Sequence, residues 1–321
     1  MALKFIILIL TAAGFLPILS WADAYPQKPI RLVSPIPPGG APDLVARAIG
    51  AKLSSQLSQP FFIDNKIGSN GNIAADFVAH SAPDGYTLLV GMDSLFVINP
   101  FLYAKSNLNV NEELIPIATL AANQFVLAVN PSLPVKTLGE FVDLAKKSNP
   151  VLAYASGGNG SQHHLTMEML KARAGFSMLH VPYKGGTAAT TATMSGETVA
   201  MFSGTSNANL IKAGKFRAIA TSGSHRSKSL PNIPTIAETY PGFENTIWIG
   251  LFAPAGTPEP VIQKLRSEVN KALKAQEIIQ TFDKAGGIEP YITSLPEMKE
   301  LIKKDQTKYI KIINDLNLSL D

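Results

Sequence analysis

Cysteine is absent from the 321 residues, which excludes a disulfide framework, a thiol nucleophile and a lipid-modified cysteine. Charge is sparse: 16% of the residues are charged, and the net +4 is scattered among Asp and Glu rather than drawn into a stripe. No nucleic-acid partner is expected, because phosphate backbones need a concentrated basic surface. Long apolar runs are lacking beyond the first 24 residues, so no later segment reaches the ~20 residues of a membrane-spanning helix.

Catalytic motifs are missing too. "GTSNA" (204 to 208) has Ala208 where a nucleophile elbow needs its second glycine. Neither "YKGG" nor "SGGNGS" has the spacing of a P-loop, and the glycines of 157 to 160 fail the dinucleotide fingerprint because His163 stands in its last position. For zinc, His163, His164 and Glu168 come nearest, but His164 and Glu168 at i and i+4 read as a helix-surface pair. No cofactor and no metal are expected, and an enzyme is left open without a motif to support it.

What is present begins with Lys4, an apolar stretch from Phe5 to Leu19 broken by Gly14 and Pro17, and "SWADA" with Ala22 and Ala24 at the small positions of a cleavage site. This spells a secretory signal peptide, residues 1–24, cut before Tyr25. Removing 24 of 321 residues leaves 297, more than one hydrophobic core usually organises.

Strand-length apolar runs alternate with helical periodicity along the rest. The runs are "IRLV" (30 to 33), "YTLLVG" (86 to 91), "FVLAV" (125 to 129), "VLAYA" (151 to 155), "MLHV" (178 to 181), "TVAMF" (198 to 202) and "FRAIAT" (216 to 221). Helices are predicted over 42 to 57, 137 to 147 and 258 to 275, with Pro42 and Pro258 at first helical positions and a capping box from Thr137 to Glu140. The class is α/β, with mixed sheets flanked by helices. "IPIATLAANQ" (115 to 124) and "LPNIPTIAETYPGFENT" (230 to 246) read as two domain crossings. They give one lobe from residues 25–123 plus 247–321 and a second from 124–246, with a cleft between them.

In α/β sheets ligands sit beyond the carboxyl ends of the strands. Here the loops at those ends share one chemistry: "PIPPGGAPD" (35 to 43), "NKIGSNGN" (65 to 72), "GMDS" (91 to 94, with Asp93), "SGGNGSQHH" (156 to 164), "PYKGGTAAT" (182 to 190) and "SGTSN" (203 to 207). They are rich in Gly, Ser, Thr and Asn and poor in charge. Glycine admits close backbone approach, and N–H groups at a helix start favour an anion without any cationic side chain. Taken singly, Gly39 and Gly40 read as a tight turn and Asp43 as a first-turn acid; recurrence of such loops in both lobes is what favours a binding role.

"YPQKPIRLVSPIPPGGAPDLVAR" (25 to 47) resembles the opening of the Bug-type extracytoplasmic receptors of tripartite tricarboxylate transporters. The similarity continues through "APDGYTLL" (82 to 89), "YASGGNGSQHHL" (154 to 165), "HVPYKGG" (180 to 186), "LPNIPTIAE" (230 to 238) and "GLFAPAGTPEPVIQKL" (250 to 265). The resemblance implies a type II, Venus-flytrap periplasmic binding protein, monomeric, that closes on a small organic anion, a mono- or dicarboxylate, and serves inner-membrane transporter subunits. It implies ligand contacts from Pro38, Gly39 and Gly40, from Ser156, Gly160 and Ser161, and from Gly185, Gly186 and Thr187, with His164 fixing its loop. Two departures mark the ligand's far end: Ser69 and Asn70 replace smaller residues, and Ser203 stands where many members carry an aspartate. Losing that aspartate argues against an amino-acid ligand, whose buried ammonium would lack a counter-charge. A periplasmic sensor subunit has the same binding chemistry, and an exported α/β hydrolase is the third alternative.

Overall fold

The computed structural model describes residues 25–103 and 106–320; the segment read as a signal peptide lies outside them. The chain enters with β1 (Ile30–Ser34), α1 (Ala41–Leu57), β2 (Phe61–Asn65), α2 (Asn72–Ala79) and β3 (Thr87–Met92), then three short helical turns, α3 (Ser94–Val97), α4 (Asn99–Leu102) and α5 (Val110–Glu113). The 16-residue β4 (Leu114–Val129) leads into α6 (Leu138–Lys147), β5 (Ala153–Ser156), α7 (Gln162–Ala174), β6 (Leu179–Pro182), α8 (Gly186–Ser195), β7 (Ala200–Gly204), α9 (Ala208–Lys212) and β8 (Arg217–Thr221). It returns through β9 (Thr246–Pro254), α10 (Glu259–Leu273), α11 (Gln276–Lys284), β10 (Glu289–Pro290) and α12 (Leu295–Asp315).

The strands form two similar sheets that share β4. In the first the order is β2-β1-β3-β9-β4, with β1, β2 and β3 parallel and β9 antiparallel between β3 and β4. In the second, β6, β5 and β7 are parallel to one another, and β4 lies antiparallel between β7 and β8. β4 pairs with β9 as far as Gln124 and with β7 from Phe125 onward. The segment read as a crossing, 115 to 124, is therefore strand and not loop. Its sequence hides this because Pro116 sits beside a register shift, and a second shift falls between Thr119 and Ala121. Bulges are where a sheet tolerates proline.

Each sheet has its own core, as covered parallel strands require. One gathers Ile30, Leu32, Val45, Ile49 and Leu88 with Leu251, Ile262 and Leu265. The other gathers Phe125, Leu127, Phe141, Tyr154, Leu170 and Phe202. A third cluster, with Phe96, Trp248, Phe252, Tyr309 and Ile313, also takes in Leu165 of α7 and so joins the two halves through α12. Capping follows the sequence at α6, where Thr137 accepts from Glu140 N and the Glu140 carboxylate returns to the cap, and again at α12 with Ser294 and Glu297. Two prolines sit one step from their expected places: Pro42 is second in α1, after Ala41, and Pro258 is the N-cap of α10.

Candidate functional site

The glycine-rich loops lie where β1, β2, β3, β5, β6 and β7 end, at the carboxyl edges of the two sheets. In the first loop Gly39 adopts φ +90°, a left-handed conformation natural to glycine, with open space where a Cβ would stand. Its N–H donates 2.9 Å to Asp43 Oδ2. Asp43 is buried and does more than cap its helix. It accepts two bonds from Arg47, at 2.9 and 3.0 Å, and one from Asn65 Nδ2 at 2.9 Å, and Asn65 also donates to Ile36 O. This carboxylate ties the loop, α1 and β2 together. Those hydrogen bonds outweigh its burial and hold it below the usual carboxylate range. Pro38 and Gly39 are exposed and Gly40 is partly so.

Ser69 and Asn70 form a tight left-handed pair, φ 46° and 51°. Asn70 donates 2.7 Å to Asn99 Oδ1, and Asn99 in turn donates to Asn70 O and Asn72 Oδ1. A cavity of about 240 Å³ opens beside this cluster, lined in part by Asn72, Leu95, Asn99 and Tyr103.

Asp93 is wholly buried. Its Oδ1 accepts from Ser94 N at 2.8 Å, and its Oδ2 accepts from Gln162 Nε2 at 2.7 Å and Trp248 N at 3.3 Å. Gln162 belongs to α7, so this expected ligand contact instead links the first sheet to a helix of the second. Burial, with the charge of Asp305 added, raises its pKa to about 7. Nearby, Tyr309 donates to Asn245 Oδ1 at 2.6 Å and Asn245 donates to Thr166 of α7 at 2.5 Å, extending the junction.

The loop after β5 is built from its own polar atoms. Ser156 Oγ bonds Gly158 O at 3.0 Å and His180 Nε2 at 2.6 Å, while Ser161 caps α7 and donates 2.7 Å to Gly158 O. Gly160 donates its N–H to His164 Nδ1 at 3.1 Å, and a Cβ there would run into Leu102 of α4. His164 stacks on His180 at 3.8 Å between ring centres, and Tyr154 stacks on His180 at 5.0 Å. At α8, Gly185 is the N-cap, and the N–H groups of Gly186 and Thr187 have no hydrogen-bond partner among the described residues. Thr187 is exposed; Ser203 is buried and accepts 2.8 Å from Asn207 Nδ2.

The candidates thus divide. Pro38, Gly39, Gly185, Gly186 and Thr187 present backbone or surface at the sheet edges, whereas Asp93, Ser156, Gly160, Ser161 and Ser203 are engaged with the protein itself. Two residues passed over as candidates, Ser34 at the end of β1 and Ser94 just after β3, are buried with hydroxyls that lack a partner among the described residues. Both stand at carboxyl ends of parallel strands, the signal that selected the loops around them. Among the described residues no three His, Asp or Glu side chains gather as a metal site, and no helix is long and apolar enough to cross a membrane.

The profile of the tripartite tricarboxylate transporter family receptor, TctC, matches residues 45–318. BugT of Bordetella pertussis is 32% identical over 302 residues, covering 93% of this chain and 92% of its own. Among solved structures, Rpa4515 of R. palustris with adipate superposes with a TM-score of 0.84 at 29% identity, over 92% of this chain and 99% of the other. MatC of Rhodopseudomonas palustris with bound malate gives 0.77 at 29% identity, over 90% and 100%. The periplasmic binding protein BugD gives 0.80 at 27%, over 92% and 99%. With its two sheets sharing β4 and its glycine loops at their carboxyl edges, the chain belongs to the tripartite tricarboxylate transporter family of receptors, the two-lobed periplasmic solute-binding proteins.

Proposed function

We propose that this receptor captures a small mono- or dicarboxylate between its lobes and delivers it to inner-membrane transporter subunits, without catalysis and as a monomer. The lobes in this reading are residues 25–123 plus 247–321 and residues 124–246, hinged where β4 passes from β9 to β7, and residues 1–24 are removed on export to the periplasm. The observation that carries it is the chemistry of the facing edges: Gly186 and Thr187 at the start of α8 offer unpaired N–H groups, and the loops around them carry almost no cationic side chain. Two relatives similar over almost their whole length are seen with adipate and with malate, both dicarboxylates.

A thermal-shift screen of carboxylic acids beside their amides tests this. Free ligand at ~100 times its Kd adds about 2.7 kcal/mol to stability. For a domain of ~150 to 250 residues that raises Tm by roughly 5 to 10 °C. At least one acid should shift Tm while its amide does not. Equal shifts by amides or neutral sugars would refute the anion site.

A further inference from the structure

α7 opens with three polar side chains, and each takes a different direction. Gln162 reaches Asp93 across the junction and His164 stacks on His180. His163, between them, turns to the glycine loops. Its ring packs on Phe125 at 5.0 Å between centres. A Cβ placed on Gly157 would lie 3.2 Å from His163 Nδ1, and one placed on Gly186 would lie 3.4 Å from Nε2. The same Gly157 position is 3.2 Å from Gly186 N. The two loops therefore border the edge of the imidazole, closely enough at Gly157 that a side chain there would crowd it.

Neither nitrogen of this ring has a hydrogen-bond partner among the described residues, in contrast to His164 and His180, whose nitrogens hold Gly160 and Ser156. The ring is only partly buried, and it borders the unpaired N–H groups of α8. An oriented imidazole with unspent polar atoms beside an anion-favouring helix start is arranged to meet a ligand rather than to brace a fold.

We propose that His163 is a specificity-determining residue of the receptor, donating a ring N–H to an oxygen of the bound carboxylate that also meets the α8 N-terminus. This rests on the carboxylate reading above and deepens it. Burial lowers the ring's pKa to about 4, so the imidazole is neutral at pH 7 and selects by hydrogen bonding rather than by charge. Its second nitrogen remains able to accept from a ligand hydroxyl, which distinguishes a hydroxy acid such as malate from an unsubstituted one such as adipate.

The test is calorimetric titration of wild type, His163→Phe and His163→Gln with adipate, malate and the wider acid panel at pH 7.4. Phe keeps the packing on Phe125 without the donor, and loss of a bond to a charged acceptor should weaken binding roughly ten- to hundred-fold. Gln, which restores an N–H, should recover part of it. Nitrogen-15 spectra of the wild-type imidazole report independently of how the variants fold: the His163 ring signals should move on adding the acid that binds, and those of exposed His80 should not. Unchanged affinity in a folded His163→Phe variant, or unmoved His163 signals at saturation, would overturn the inference alone. Failure of every acid to bind wild type would overturn the carboxylate reading and the inference with it.

Discussion

At the scale of single residues, the site is governed by groups whose ionisation folding has displaced. Burial lowers His163 to about 4 and His180 to about 3, with the neighbouring His164 and Lys171 adding to the latter, and burial lowers His164 as well. Each is held neutral in the fold while the unfolded chain takes up protons near pH 6.5. Their contribution is therefore complete above about pH 6.5 and is lost as pH falls toward 4 and below. Urea midpoints should drop between pH 7 and pH 5, and replacing His180 with Gln should flatten that drop. Asp93 runs the other way. Raised to about 7, it contributes most below its unfolded value near 4, and loses that contribution as pH climbs through 7. Whatever Asp93→Asn costs at pH 5, it should cost less at pH 8, and a constant difference across that range would show that the carboxyl is not held protonated. Such residues were only half legible beforehand. Glycines announce a loop, but the bond between Asp93 and Gln162 spans 69 positions, and a histidine at the start of a helix looks like surface until the loop it faces is known.

At the scale of elements, the continuous apolar runs of the parallel strands were readable to within a residue or two, because strands covered on both faces carry their signal locally, whereas β4 was read only from Phe125 although it begins at Leu114. β2 was not among them: "FFIDN" is a short edge strand, mostly half-buried, with little apolar excess. β9 was missed for a different reason. Its apolar run is plain, but it begins where a proline-rich stretch ends, and nothing local says that it slots between β3 and β4. α12 also went unread, although its capping box is spelled out in Ser294 and Glu297. This helix bears on the whole junction, since Asp305 accepts from Trp248 Nε1 at 3.2 Å and Tyr309 bonds Asn245. Ser294→Ala removes the side-chain acceptor of its cap and should lower stability by about 1 kcal/mol, read from urea unfolding at constant slope. No change would mean that packing alone fixes the helix start.

At the scale of the whole molecule, polar bonds tie the two halves together across the junction, among them Gln162 to Asp93 and Tyr309 to Asn245. Gln162→Ala leaves Asp93 without a donor from α7 and should shift the apo protein toward open forms, weakening ligand binding through the smaller competent population. Small-angle scattering should show a larger radius of gyration in the absence of ligand, and calorimetry a several-fold higher Kd. If both match wild type, the bond does not bias closure. The placement of β9 also sets an order for the growing chain on the ribosome. β3 is complete at Met92, yet its second neighbour, on the side away from β1, does not exist until Thr246–Pro254 has been made. The second sheet has all its strands by Thr221, so the part that starts later in the sequence can close first. Until then the first sheet keeps an open edge at β3, where another chain could pair. The nascent protein is thus obliged to finish its first sheet late, after the second already has all its strands.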